Sequence, residues 1–179
     1  MQLESINPKN NKIINSWDIH NQSEVDSIID NANDAYHEWR DTELSFRLGC
    51  LEDISILLRE RSKEYGVLMA DEMGKPLSQG IAEVEKCALL CDYYVQNAFE
   101  FLKPKNIDTG NHKSFITFQP IGLVLGIMPW NFPFWQVFRF AIPSLTAGNG
   151  VVLKHASNVQ GCASAIQNCF SAVGYYENI

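Results

Sequence analysis

The residues able to do chemistry gather in one stretch of the second half of the chain. Asn131 sits within Met128-Pro129-Trp130-Asn131-Phe132-Pro133, a polar amide framed by two large aromatics and two prolines. Proline restricts the backbone around it, so the amide is held in one orientation. A fixed amide can donate to an oxygen that is gaining negative charge, an effect of about 3–4 kcal/mol for one donor. The same residue can cap the helix that follows, and spacing alone leaves both readings open. Arg139 interrupts the apolar stretch from Phe132 to Leu145. Its planar fork suits a carboxylate, or it is a snorkelling or salt-bridged side chain. Lys154 ends an apolar run, where it either reaches a phosphate or ribose hydroxyl or stands solvated, and His155 beside it either helps hold a phosphate or is packed.

Five cysteines, Cys50, Cys87, Cys91, Cys162 and Cys169, form no zinc-type cluster. Their spacings of one and two helical turns suit packed thiols rather than disulfides. Cys162 falls near a helix start, where the dipole would lower its pKa; a packed thiol is the other reading. His20, His37 and His112 have no partner at metal-ligand spacing, so no metal site is expected. Neither G-x-G-x-x-G nor G-x-x-x-x-G-K-[ST] occurs.

These residues need elements to hold them. Pro120 to Met128 is a continuous apolar run, as in a parallel strand covered on both faces, with Gly122 and Gly126 leaving room for close approach. A helix over about 135–147 follows, then a short strand at Val151–Leu153 and a helix over about 158–173 with Ala163, Ile166, Phe170 and Val173 inward. The order strand, helix, strand, helix opens a doubly wound α/β domain, whose ligands bind at the carboxyl ends of its strands. Asn131 and Lys154 fall at those ends.

Residues 1–113 read as an N-terminal segment with a helical layer, and 114–179 as the start of the α/β domain. After extended pieces around Lys12–Trp17, Ser23 is expected to cap a first helix with Val25, Ile28, Ile29, Ala32, Tyr36 and Trp39 on its buried face. Helices over about 43–61, from Ser62 to Gly74, and over about 78–102 follow, the last with Ile81, Val84, Ala88, Cys91, Val95 and Ala98 as its seam. Residues 105–113 read as a turn and Ser114–Gln119 as a strand. The helical layer reads as scaffold.

The chain has 46% hydrophobic and 20% charged residues, an ordinary globular profile. A formal net charge of −7 with no basic block argues against nucleic acid. No secretory leader or stretch long enough to span a membrane is read, and a cytoplasmic protein is expected.

Phe118-Gln119-Pro120-Ile121-Gly122 through Pro129-Trp130-Asn131-Phe132-Pro133, then Pro143-Ser144-Leu145-Thr146-Ala147-Gly148-Asn149, resembles the aldehyde dehydrogenase superfamily. Glu72-Met73-Gly74-Lys75-Pro76 and Glu83-Val84-Glu85-Lys86-Cys87 look like family segments too. Lys154-His155-Ala156-Ser157-Asn158 looks like its succinate-semialdehyde dehydrogenase branch. The resemblance implies the N-terminal part of an α/β, Rossmann-like enzyme that oxidises an aldehyde with NADP or NAD. In the family a cysteine thiolate attacks the aldehyde carbon, an asparagine holds the oxyanion, hydride passes to the nicotinamide, and a glutamate-activated water releases the acid. Asn131 matches the oxyanion asparagine. Ile127, Met128, Pro129 and Trp130, with Asn131, match the segment lining the cofactor cleft, and Lys154 matches the lysine at the adenosine ribose. Ser157 stands where strictly NAD-using relatives often carry a glutamate, which implies NADP acceptance. Arg139 matches an arginine for the substrate carboxylate, and Trp135 joins it as a substrate-binding candidate.

The resemblance also implies a homo-oligomeric complete enzyme. It places the catalytic cysteine, the general-base glutamate and the pyrophosphate-binding turn downstream of these residues, so the isolated chain is expected to be inactive. Two parallel strands alone cannot cover both faces or satisfy their edges, so a missing remainder, poor solubility or self-association is expected. The alternatives are a non-catalytic module that associates with itself or a relative, and nucleotide binding without turnover.

Overall fold

A computed structural model describes residues 2–110 and 112–173. An antiparallel hairpin comes first, β1 (Gln2–Ile6) with β2 (Ile13–Asp18). Four helices follow: α1 (Gln22–Trp39), α2 (Leu44–Glu60), α3 (Ser62–Met73) and α4 (Leu77–Leu102). A second antiparallel hairpin, β3 (Lys105–Asp108) with β4 (Lys113–Ile116), leads to β5 (Leu123–Met128). Then come α5 (Trp135–Thr146), β6 (Gly150–His155) and α6 (Gln160–Ala172), with β5 and β6 paired in parallel. The expected strand, helix, strand, helix order is therefore present. The turn expected at 105–113 contains β3, because Lys105–Asp108 pairs with Lys113–Ile116.

Local chemistry sets the helix ends. Asn21, not Ser23, caps α1: its side chain accepts from Glu24 N–H while Glu24 reaches back to Asn21 N–H. Ser62 makes no side-chain cap on α3, whereas Gly74 ends that helix in the left-handed conformation at φ 74°. Only the C-terminal half of the α1 stripe is buried. Ala32, Tyr36 and Trp39 are inside, while Val25, Ile28 and Ile29 are exposed. On α6, Ile166 is buried and Phe170 and Val173 are partly buried against the core as expected, with Cys162 and Cys169 rather than Ala163 completing that face.

One core runs from α2, α3 and α4 into α5 and α6, joining Leu51, Leu58, Met69, Val84 and Cys91 to Phe134, Phe138, Ile142 and Ile166. Gly126 lets α5 lie against β5, since a Cβ there would come 2.4 Å from the Phe140 ring. Gly122 has φ 132° and nothing within 4 Å of an added Cβ, so its place is a backbone requirement and not the expected close approach. The second face of β5 is covered only at its start, where Tyr36 and Ala32 of α1 lie against Gly150, the partner of Leu123. Leu125 and Ile127 are 61% and 69% exposed, against the expectation of two covered faces.

The helical layer holds α5 and α6 by their ends. A helix start leaves amide N–H groups without partners and carries partial positive charge. The Glu83 carboxylate, from α4, accepts from Phe134 N–H and Trp135 N–H at 2.9 Å each. Its other oxygen pairs with buried Lys75. The Glu72 carboxylate, from α3, accepts from Gly161 N–H and Cys162 N–H at 2.8 Å each and from the Ser5 hydroxyl. At the far end of α5, Arg47 donates to Thr146 O at 3.1 Å and the Trp39 indole to Leu145 O at 3.0 Å. A layer read as scaffold therefore supplies buried charge to the α/β helices.

Removing one partner of a buried pair leaves the other charge uncompensated, at about 3–5 kcal/mol. Glu83→Ala should destabilise the chain by about that much in urea denaturation. Asp41→Ala, at the exposed Arg40–Asp41 pair, should change stability by less than about 1 kcal/mol.

Candidate functional site

The parallel register sets Ile127 beside Lys154 and Met128 beside His155 at the carboxyl ends of β5 and β6. Neighbours in a parallel pair project to the same face. Ile127 and exposed Lys154 thus share the open face with Leu125. Met128 and His155 share the face packed on the core. The open face offers apolar surface with a lysine at its rim, which fits a flat, partly apolar ligand bearing anionic or hydroxyl groups.

Three contacts hold the 129–133 turn above that edge. Ala156 N–H donates to His155 Nδ1 at 2.8 Å, which leaves the proton on Nε2 to donate to Pro133 O at 2.9 Å. Lys75 Nζ sits 4.0 Å from the centroid of the Phe132 ring, a cation–π contact. Glu83 binds the first amides of the helix beyond. His155 is 4% exposed, so its role is a packed lock on the turn. Burial lowers its pKa from the ordinary 6.5, ahead of the opposing effect of its bond to Pro133.

Asn131 is exposed within the turn. It does not cap α5: that helix has no side-chain cap from its own preceding residues, and its free amides go to Glu83. The helix-cap reading is therefore overturned. Pro129 is exposed beside it, and Trp130, half-exposed, lines a cleft of about 320 Å³ with Glu4, Ile6, Pro8, Glu72, Met73 and Asn158. Ser157 is exposed in the turn after β6, three residues past Lys154. Trp135 is half-buried at the start of α5, and Arg139 follows four residues later, exposed. Arg139 makes no ion pair among the described residues.

No cysteine is positioned as a nucleophile. All five are buried. Cys162 is fully buried, and burial first, then the nearby Glu72 carboxylate, pushes its thiol far up. The dipole effect expected at that helix start is thus outweighed, first by burial and then by Glu72, which occupies the positive end of the helix. Cys169 is raised to about 12 by burial. Among the described residues no group of His, Cys, Asp or Glu fits a metal ion, and no helix is long and apolar enough to cross a membrane.

The sequence reading places Glu72, Lys75 and Glu83 in family-like segments but not their buried contacts with the α5 and α6 helix starts. One signal was available for Glu83: it lies on the apolar seam of α4, three after Gly80 and four before Cys87, where a solvated charge does not belong.

A histidine with a lowered folded pKa binds fewer protons folded than unfolded, so folding stability falls as pH drops below 6.5. Urea midpoints measured from about pH 7.5 to about pH 5.5 should fall more steeply for the native chain than for His155→Asn.

The family model described as "Aldehyde dehydrogenase family" matches residues 1–179. A probable succinate-semialdehyde dehydrogenase [NADP(+)] from Synechocystis is 44% identical over 99% of this chain and 39% of its own length. The succinate semialdehyde dehydrogenase [NAD(P)+] Sad of Escherichia coli is 39% identical over 98% of the chain and 38% of its own length. The structure of succinic semialdehyde dehydrogenase from Streptococcus pyogenes in complex with NADP+ superposes with a TM-score of 0.94 at 29% identity, over 98% of this chain and 39% of that one. The chain thus spans about two fifths of the length of these relatives. With the family model covering every residue, the chain belongs to the aldehyde dehydrogenase family.

Proposed function

We propose that this chain furnishes the oxyanion donor and one wall of the cofactor cleft in an NADP- or NAD-dependent dehydrogenase that oxidises succinate semialdehyde to the dicarboxylate. The observation that carries the reading is the placement of Asn131: rigidly framed, exposed, released from capping, and next to the strand ends that carry Ile127 and Lys154. The relatives named above lend the substrate and the cofactors.

In this reading the Asn131 amide donates to the aldehyde oxygen as it becomes an oxyanion, where a prearranged dipole costs no reorganisation. Ile127, Met128, Pro129 and Trp130 shape the cleft, and Lys154 donates to the adenosine ribose. Ser157 leaves room, without a negative charge, for a 2′-phosphate. Bound there, NADP or NAD supplies the hydride acceptor. Arg139 and Trp135 serve the substrate. The five buried thiols include no attacking nucleophile, so the 179-residue chain alone does not turn over aldehyde. The complete enzyme is a homo-oligomer in this reading, supported by the exposed Ile107, Phe115 and Ile116 on the β3–β4 hairpin.

Two substitutions in a complete enzyme containing this segment test the proposal. Asn131→Ala should lower kcat by about 100- to 1000-fold. Retained kcat would return Asn131 to a structural role. Ser157→Glu should raise KM for NADP by about tenfold while leaving NAD turnover within about twofold, through repulsion of the 2′-phosphate. Equal effects on both cofactors would remove Ser157 from the site.

A further inference from the structure

Two cations flank the exposed side of α5 near its start. Lys86, on α4, places Nζ 3.8 Å from the centroid of the Trp135 ring. Trp135 and Arg139 are four residues apart on α5, so they lie one turn apart on the same face. Lys86 therefore stands on the tryptophan that adjoins the arginine. Glu83, three residues earlier on α4, holds Trp135 N–H at 2.9 Å and so pins this part of α4 to the start of α5.

The carboxylates nearest in sequence to Lys86 are already engaged. Glu83 is paired with Lys75, and Glu85 lies 3.7 Å from Arg59. Lys86 and Arg139 are both exposed, and neither makes an ion pair among the described residues. Two cations at a half-buried indole, neither paired with a carboxylate among the described residues, form a surface that gains free energy when an anionic group arrives. Lys75 shows the other arrangement: its charge is spent on Glu83 and the Phe132 ring.

We propose that Lys86, seated on Trp135, is a second specificity residue for the terminal carboxylate of the aldehyde substrate, acting with Arg139. This rests on the reading of the site as one for an acid-bearing aldehyde. Trp135 has two tasks in it: its ring holds the ammonium in place, and its edge covers the methylene chain of the substrate. Lys86 contributes charge without the geometric demand of a fork, so it lowers KM for any short aldehyde ending in a carboxylate.

The test compares Lys86→Met, Lys86→Arg and Arg139→Ala in a complete enzyme containing this segment, with succinate semialdehyde and uncharged butanal as substrates. Lys86→Met should raise KM for succinate semialdehyde roughly tenfold, the worth of one charge-assisted hydrogen bond, with kcat kept. Butanal kcat/KM should stay within about twofold, and Lys86→Arg should restore most of the loss. Added salt should weaken succinate semialdehyde binding less in Lys86→Met than in the parent. Loss of both substrates equally, or no loss of either, overturns the role of Lys86. If Arg139→Ala separates the two substrates and Lys86→Met does not, Lys86 alone is excluded. If neither variant separates them, the reading of the site as one for an acid-bearing aldehyde fails as well.

Discussion

The arrangement depends first on a buried carboxylate at the start of a helix. Glu83 meets two amides of α5 with one oxygen and Lys75 with the other, and the ammonium of Lys75 also lies against Phe132 in the turn that carries Asn131. An unpaired carboxylate would not survive at 5% exposure, nor would unpartnered amides. Each solves the other's problem. The result is that a helix, a turn and the helical layer share one electrostatic knot, and none of them can shift without exposing a cost in the other two.

The same device recurs at α6. Glu72 takes the first amides of that helix and the Ser5 hydroxyl, tying the amino-terminal hairpin to the last helix described. It also adds to burial in raising the Cys162 pKa. A cysteine at a helix start is activated when the positive end of the dipole is available to a thiolate. Here a carboxylate is already there, and a second anion beside it in a dry core is unfavourable. Burial first, and then the carboxylate that fixes the helix, hold the Cys162 thiol in its neutral form.

How much of this was legible follows the range of each signal. Periodicity found α2, α3, α4, α5 and α6 nearly to the residue, because a buried stripe is written locally. The edge carrying Ile127, Asn131 and Lys154 was legible from strand order, since a parallel pair aligns its carboxyl ends. What failed was long-range. The caps of α5 and α6 come from residues 51 and 89 positions away in sequence, and no local pattern announces a partner at that distance. The amide of Asn131 looked like a cap for the same reason: the competing carboxylate was out of sight. On α6 the inward face expected at Ile166, Phe170 and Val173 meets the core, and what periodicity passed over is that Cys162 and Cys169, packing as small hydrophobes, are its most buried members.

The apolar run at β5 makes a subtler point. Its residues signal two covered faces; α5 covers one, while α1 reaches only the start of the other, leaving Leu125 and Ile127 open and baring its own Val25, Ile28 and Ile29. Hydrophobic pattern records what a surface is suited to meet, whichever molecule meets it. Near the strand ends that surface carries Lys154 at its rim and the Asn131 turn above it, so polar groups of opposite task converge on an apolar floor. A surface made only to bury a neighbouring helix would gain nothing from a lysine at its edge, where desolvating the ammonium costs free energy. A ligand with an apolar ring and anionic or hydroxyl groups would use the floor and the rim together, so the proposed cofactor cleft gives the exposed half of β5 and Lys154 a common reason.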